Sequence, residues 1–101
     1  MIVVNARIEA TEETIAALKD AILTMEQASQ AEEGCHDYTF SVELGNANAL
    51  RITEKWESMA ALEAHFATPH MATFQQAMAS HPPKGVVASF FEATEIPGPG
   101  G

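Results

Sequence analysis

The hydrophobic period of this chain switches from two to between three and four and back again, and that switching constrains the fold more than any other feature. Ile2, Val4, Ala6 and Ile8 fall on one face of an alternating stretch, with Val3, Asn5, Arg7 and Glu9 on the other. This predicts a strand over residues 2–9. Ile15, Leu18, Ile22 and Met25 then recur at three- and four-residue steps. Thr11 is a plausible N-cap, with Glu12 and Glu13 in the first turn, where carboxylates favour the positive helix end. The helix is expected to run to about Glu33 and stop at Gly34.

Alternation returns over residues 36–44, with Tyr38, Phe40, Val42 and Leu44 on one face, and over residues 50–56, with Leu50, Ile52, Glu54 and Trp56 on one face. The polar GNANA segment, residues 45–49, reads as the hairpin loop between them. Ser58 then caps a short helix bearing Met59, Leu62 and Phe66, and Thr68-Pro69 reads as a fresh N-cap and first helical position. Met71, Phe74 and Met78 carry the restarted helix to about His81, ahead of Pro82-Pro83. A last strand is expected over residues 84–96; being apolar on both faces at its start, it should be central in its sheet or sit at an interface.

The order βαββαβ is the α+β, ferredoxin-like arrangement: an antiparallel sheet with helices packed on one face. Tyr38, Phe40, Phe90 and Phe91 argue against a sheet with both faces wet, and face-to-face dimerisation is the simplest cover. With 101 residues, 47% of them hydrophobic, the chain reads as one domain over residues 1–96. A Pro/Gly tail, residues 97–101, is expected to fray.

A net charge of -9 makes nucleic acid and anionic membranes poor partners. A single cysteine allows no internal disulfide, residues 1–10 have no basic region before their apolar run and do not read as a signal peptide, and no stretch reaches the roughly 20 apolar residues of a membrane span. A cytoplasmic, soluble protein is the expectation.

The familiar nucleotide, zinc and nucleophile-elbow motifs are absent. Cys35, at a helix-to-strand junction, reads as a small half-buried hydrophobe. His65 and His70 are five residues apart, about 140° of helix rotation, and are expected to diverge; no metal site is predicted. His65 borders the apolar stripe beside Leu62 and Phe66, so by position it is either a boundary histidine bonded to backbone or a pocket residue. Trp56 is open to the same two readings. Asn5 is an amide in an otherwise apolar strand, costly to bury unless something bonds to it.

The run Glu54, Trp56, Glu57, Ser58, Ala61, Leu62, His65 and His70, spaced E-x-W-E-S-x-x-A-L-x-x-H-x-x-x-x-H, resembles the signature of the antibiotic biosynthesis monooxygenase (ABM) domain family. The preceding Glu32, Gly34, Cys35 and Tyr38, spaced E-x-G-C-x-x-Y, are similar to that family's helix-to-strand junction. The resemblance implies a homodimeric α+β barrel with a pocket between sheet and helices in each subunit. It implies oxygenation of a quinol, phenol or polycyclic aromatic by molecular oxygen without flavin, haem or metal. It also implies catalytic roles for Asn5, Trp56 and His65. On that reading His65 is the base for a phenolic proton, and Asn5 and the Trp56 indole N–H hold the oxyanion. Phe66, Met71, Phe74 and Met78, with His70 at the rim, would line the substrate pocket.

Two other readings stand beside this one. The haem-degrading branch of the same fold uses the same three residue types, although the acidic chain offers only Arg7 and Arg51 as arginines for propionates. A dimeric module that binds a small ligand without turnover is the third reading.

Overall fold

The computed structural model describes residues 1–100 and follows the order β1 (Ile2–Glu9), α1 (Glu12–Gln30), β2 (Cys35–Glu43), β3 (Asn46–Trp56), α2 (Met59–Phe66), α3 (Pro69–Ser80), β4 (Gly85–Glu92). The four strands form one sheet in the order β2-β3-β1-β4, antiparallel at every pairing. This is the expected ferredoxin-like topology.

The three expected N-caps hold their helices. Thr11, Ser58 and Thr68 have extended backbones, and their hydroxyl oxygens accept the N–H of Thr14, Ala61 and Met71 respectively. Each satisfies a donor that the first helical turn would leave without a partner.

Register decides what the helices cover. Ile2 lies opposite Trp56, Val4 opposite both Glu54 and Phe90, and Ala6 opposite Ile52 and Ala88. Because side chains alternate across a strand, the even-numbered positions of the four strands share one face, except at the start of β2, where a register shift sets Cys35 opposite Trp56. On that face Ile2, Val4, Ile8, Leu50, Ile52 and Trp56 form a single buried cluster with Leu18, Ile22, Met25, Leu62 and Phe74 from the helices. The odd-numbered face is open. On it Arg7 and Arg51 both bond the Glu43 carboxylate, at 2.6 and 2.8 Å, an exposed arrangement of the kind that contributes at most about 1 kcal/mol.

Four boundaries differ from expectation. Helix α1 ends at Gln30, with Ala31 as its C-cap, rather than at Glu33. Residues 31–34 form a separate turn in which Glu32 N–H donates to Ser29 C=O and Cys35 N–H to Glu32 C=O. The hairpin loop is only Leu44-Gly45, and β3 starts at Asn46, because Ala49 pairs with Glu9 of the neighbouring β1. A bulge between Val42 and Glu43 absorbs the difference in strand length. Leu44, expected in β2, is fully exposed in the turn. Strand β4 stops at Glu92 and is an edge, not a central strand; all eight of its residues are exposed. The helices do not reach it, which leaves Val86, Val87, Phe90 and Phe91 uncovered. Residues 97–100 form neither helix nor strand, and Gly101, the end of the tail expected to fray, lies outside the described residues.

The turn after α1 passes close to α2. Gly34 has φ +82°, and a Cβ there would sit 2.8 Å from the Ala61 Cβ. Left-handed backbone and close approach both demand glycine at this position. Gly34→Ala is therefore expected to lose about 2 kcal/mol or more in urea unfolding. Adding Ala61→Gly should recover only the part due to crowding, and a double variant no more stable than Gly34→Ala alone would show that the contact is not what limits residue 34.

Candidate active site

An apolar cavity of about 320 Å³ opens between the sheet and helices α2 and α3. Its floor is Val4, Ala6, Ile8 and Ile52, its helical wall Phe66, Met71, Phe74 and Met78, and its outer wall Val86, Ala88 and Phe90 of β4. It exists because α2 and α3 leave the last strand uncovered. Only Tyr38, Glu54 and Gln75 bring polar side chains to it. A second depression, about 430 Å³, lies at the strand ends around Met1, His36, Lys55 and Glu95, but no buried ionisable side chain lines it.

Glu54 is the unusual member of the cavity wall. Its residue is 8% exposed, placed by strand alternation on the apolar stripe between Ile52 and Trp56. Its Oε1 accepts the indole N–H of Trp56 at 2.9 Å. Burial pushes its carboxyl above the usual carboxylate range; the Trp56 hydrogen bond and the nearby His65 oppose the rise, and the charge of Glu32 adds to it. A carboxyl whose pKa is raised by burial holds its proton more readily than an exposed one and is the stronger base once ionised. The Tyr38 phenol is also pushed upward, first by burial and then by the charges of Glu54 and Glu32, and stays protonated.

Behind this wall sits a second polar group. His65 Nδ1 and His70 Nε2 both bond one oxygen of Glu32, at 2.6 and 2.8 Å. An ionised carboxylate only accepts, so in that state both ring nitrogens donate and each neutral ring keeps its other nitrogen free as an acceptor. His65 is 1% exposed and packs against Trp56 and Tyr38, with ring centroids 4.8 and 5.3 Å away. The expected divergence of His65 and His70 is therefore incorrect. The 140° rotation holds only for a continuous helix, and the break at Thr68-Pro69 re-aims α3, bringing the two rings to 5.9 Å.

The other named residues separate. Phe66, Met71, Phe74 and Met78 line the cavity, whereas His65, Trp56 and His70 do not. Trp56 is wholly buried and its N–H is already given to Glu54, so it is not a free donor for an oxyanion. Asn5 is exposed on the odd-numbered face, opposite Thr53 and Ser89, across the sheet from the cavity. Cys35 is inert: burial pushes its thiol up to about 11, with Glu32 adding to the effect. The residues missed are Glu54 and Glu32. A carboxylate in an apolar alternation was the visible signal for Glu54, and for Glu32 the signal was its place in the E-x-G-C-x-x-Y run.

A profile of the family described as "Antibiotic biosynthesis monooxygenase" matches residues 1–77, and the chain belongs to that family. It is 38% identical over 55 residues to the Escherichia coli K12 protein named "Probable quinol monooxygenase YgiN". That match takes in 46% of this chain and 53% of the relative, so the chain spans about half the length of the curated relatives it matches. Among solved structures, a Deinococcus radiodurans protein assigned to the same family superposes with a TM-score of 0.90 at 26% identity over all of both chains. PA3566 from Pseudomonas aeruginosa gives 0.82 at 23% identity, covering 93% of this chain and 94% of its own, a likeness of fold.

The raised Glu54 pKa has a consequence for stability. The folded state favours the protonated carboxyl, so this contribution is complete below the unfolded-state pKa and is lost as pH climbs through the raised folded value. Glu54→Gln keeps an acceptor for Trp56 and removes the titration. Relative to the parent chain the variant is expected to gain stability in urea unfolding as pH rises from the ordinary carboxylate range through the raised folded value. Superimposable pH profiles would mean that Glu54 titrates as an exposed carboxyl does.

Proposed function

We propose that this chain is a monooxygenase that oxidises a quinol, phenol or related polycyclic aromatic with molecular oxygen in the cavity between the sheet and helices α2 and α3. The observation that carries the reading is the cavity itself: mostly apolar, sized for a small aromatic, with one buried carboxyl in its wall. Family membership and the partial likeness to a protein named as a quinol monooxygenase support the same class.

The chemistry begins with a proton. Ground-state oxygen is a triplet and takes one electron at a time, so the substrate must first become an easily oxidised anion. Glu54, in its ionised form, accepts the phenolic proton at Oε2, the oxygen not engaged by Trp56. The substrate anion passes one electron to oxygen, the resulting radical and superoxide join at a ring carbon, and the hydroperoxide takes a proton back. Loss of water then leaves a new carbonyl. For a hydroquinone the balance is quinol plus oxygen giving hydroxyquinone plus water, with one oxygen atom in each product.

In this reading the proton-accepting role passes from His65 to Glu54, because His65 lies behind Trp56 and Tyr38 with Nδ1 on Glu32. Trp56 acts through Glu54: its N–H stabilises the carboxylate and fixes which oxygen faces the substrate. Asn5, on the opposite face, is left to self-association rather than chemistry. The haem reading gains nothing from the cavity, whose lining holds no arginine or lysine, while both arginines are held by Glu43 on the open face.

A homodimer belongs to the same proposal, since Val87 and Phe91 stand uncovered on the open face. Sedimentation at micromolar protein is expected to give a dimer, and a monomer alone would remove the barrel assembly. Oxygen uptake with a panel of quinols and naphthols is expected, and Glu54→Gln should lower turnover about 100-fold with the fold intact. Unchanged turnover in that variant would take Glu54 out of the mechanism.

A further inference from the structure

The Glu32–His65–His70 cluster lies outside the cavity and takes no part in the chemistry above. Its three candidate donor atoms, Glu32 Oε2, His65 Nδ1 and His70 Nε2, all lie within 4.8 Å of one another. They come from three different segments: the turn after α1, the last turn of α2 and the first turn of α3. Two imidazoles and one carboxylate are the ligand types that suit zinc and neighbouring first-row divalent ions.

We propose that Glu32, His65 and His70 bind one divalent transition-metal ion, zinc or a cation of the same class, with a fourth position left to water. Four-coordinate zinc holds nitrogen and oxygen ligands at about 2.0–2.2 Å, which separates neighbouring ligands by somewhat over 3 Å. The present 2.6 and 2.8 Å hydrogen bonds need to open by roughly 0.5 to 1 Å for the ion to replace the two shared hydrogens. Glu32 stands in a turn rather than in a helix or strand, so a shift of its side chain disturbs no ladder.

Electrostatics favour the ion. Among the described residues Glu32 pairs with no lysine or arginine; its partners are the two histidines, and both arginines are taken by Glu43. The charge of Glu32 reaches Glu54, Tyr38 and Cys35, so the region carries two carboxyls without a fixed cation, in a chain of net charge -9. A bound ion would tie α2 and α3 to the turn after α1. It would act as a clamp behind the cavity, beyond Trp56 and Tyr38.

The test uses the untagged full chain, stripped with a chelator and then titrated with zinc by calorimetry and with cobalt(II) by visible absorption. One ion per chain is expected, with a cobalt spectrum of tetrahedral type and a zinc-dependent rise in the unfolding temperature. Losing even a supporting partner of a metal ligand weakens binding about tenfold, so Glu32→Gln and His70→Ala should each weaken it by at least that much. In both variants the rise in unfolding temperature should disappear. His36→Ala and His81→Ala, at exposed positions outside the cluster, should bind as the parent does. Near-ultraviolet circular dichroism checks that Glu32→Gln and His70→Ala remain folded. Absence of saturable binding in the parent chain, or equal binding in folded Glu32→Gln and His70→Ala, overturns the proposal. Neither result depends on turnover, so the oxygenase reading stands or falls separately.

Discussion

The close approach of residue 34 to helix α2 is the constraint on which the rest of the site depends. Gly34 presses against Ala61, and its carbonyl accepts the Glu57 N–H at 2.7 Å. These contacts lock the turn after α1 onto the start of α2. Two placements follow. Cys35 starts β2 in register with Trp56 at the end of β3, and Glu32, two residues earlier, is held where α2 and α3 can both reach it. A side chain at residue 34 would push these elements apart, so one glycine positions the sheet edge and the polar cluster together.

Glu54 shows how a carboxyl can be held in an apolar stripe. Moving an isolated carboxylate into an apolar stripe costs several kcal/mol, and the usual outcome is that the group takes up a proton. Here the cost is partly offset by one neutral donor, the Trp56 indole, which is itself wholly buried and cannot swing away. Among the described residues the remaining oxygen has no hydrogen-bond partner. A full ion pair would hold the carboxyl low and make it a weak base; a single indole bond leaves it raised.

What was legible in the sequence was local. The caps at Thr11, Ser58 and Thr68, the two periodicities and the βαββαβ order depend on neighbours within a few residues, and all of them appear in the structure. The end of α1 was misread because Gly34 resembles a helix stop, yet its left-handed backbone closes a separate turn. The GNANA segment looked like a loop because asparagine and glycine favour turns, but pairing with β1 overrode that preference. In the site, Glu54 was visible as a carboxylate on an apolar face, while its indole partner lies two residues away on the same strand face. Asn5 was on the wrong face by simple alternation. The resemblance, not the strand pattern, gave it a catalytic role.

The break at Thr68-Pro69 links the cavity to the cluster behind it. In α3, His70, Met71, Phe74 and Met78 fall within an arc of roughly 100°. One edge of that arc meets Glu32, and the rest walls the cavity. A continuous helix from Met59 to Ser80 would turn His70 away from His65 and carry the methionines off the sheet. By restarting the helix, Pro69 lets a single rotation satisfy both sides, so the shape of the apolar wall and the convergence on Glu32 are set by the same backbone choice. Whatever strengthens the Glu32 contacts therefore also holds Met71, Phe74 and Met78 in place around the cavity.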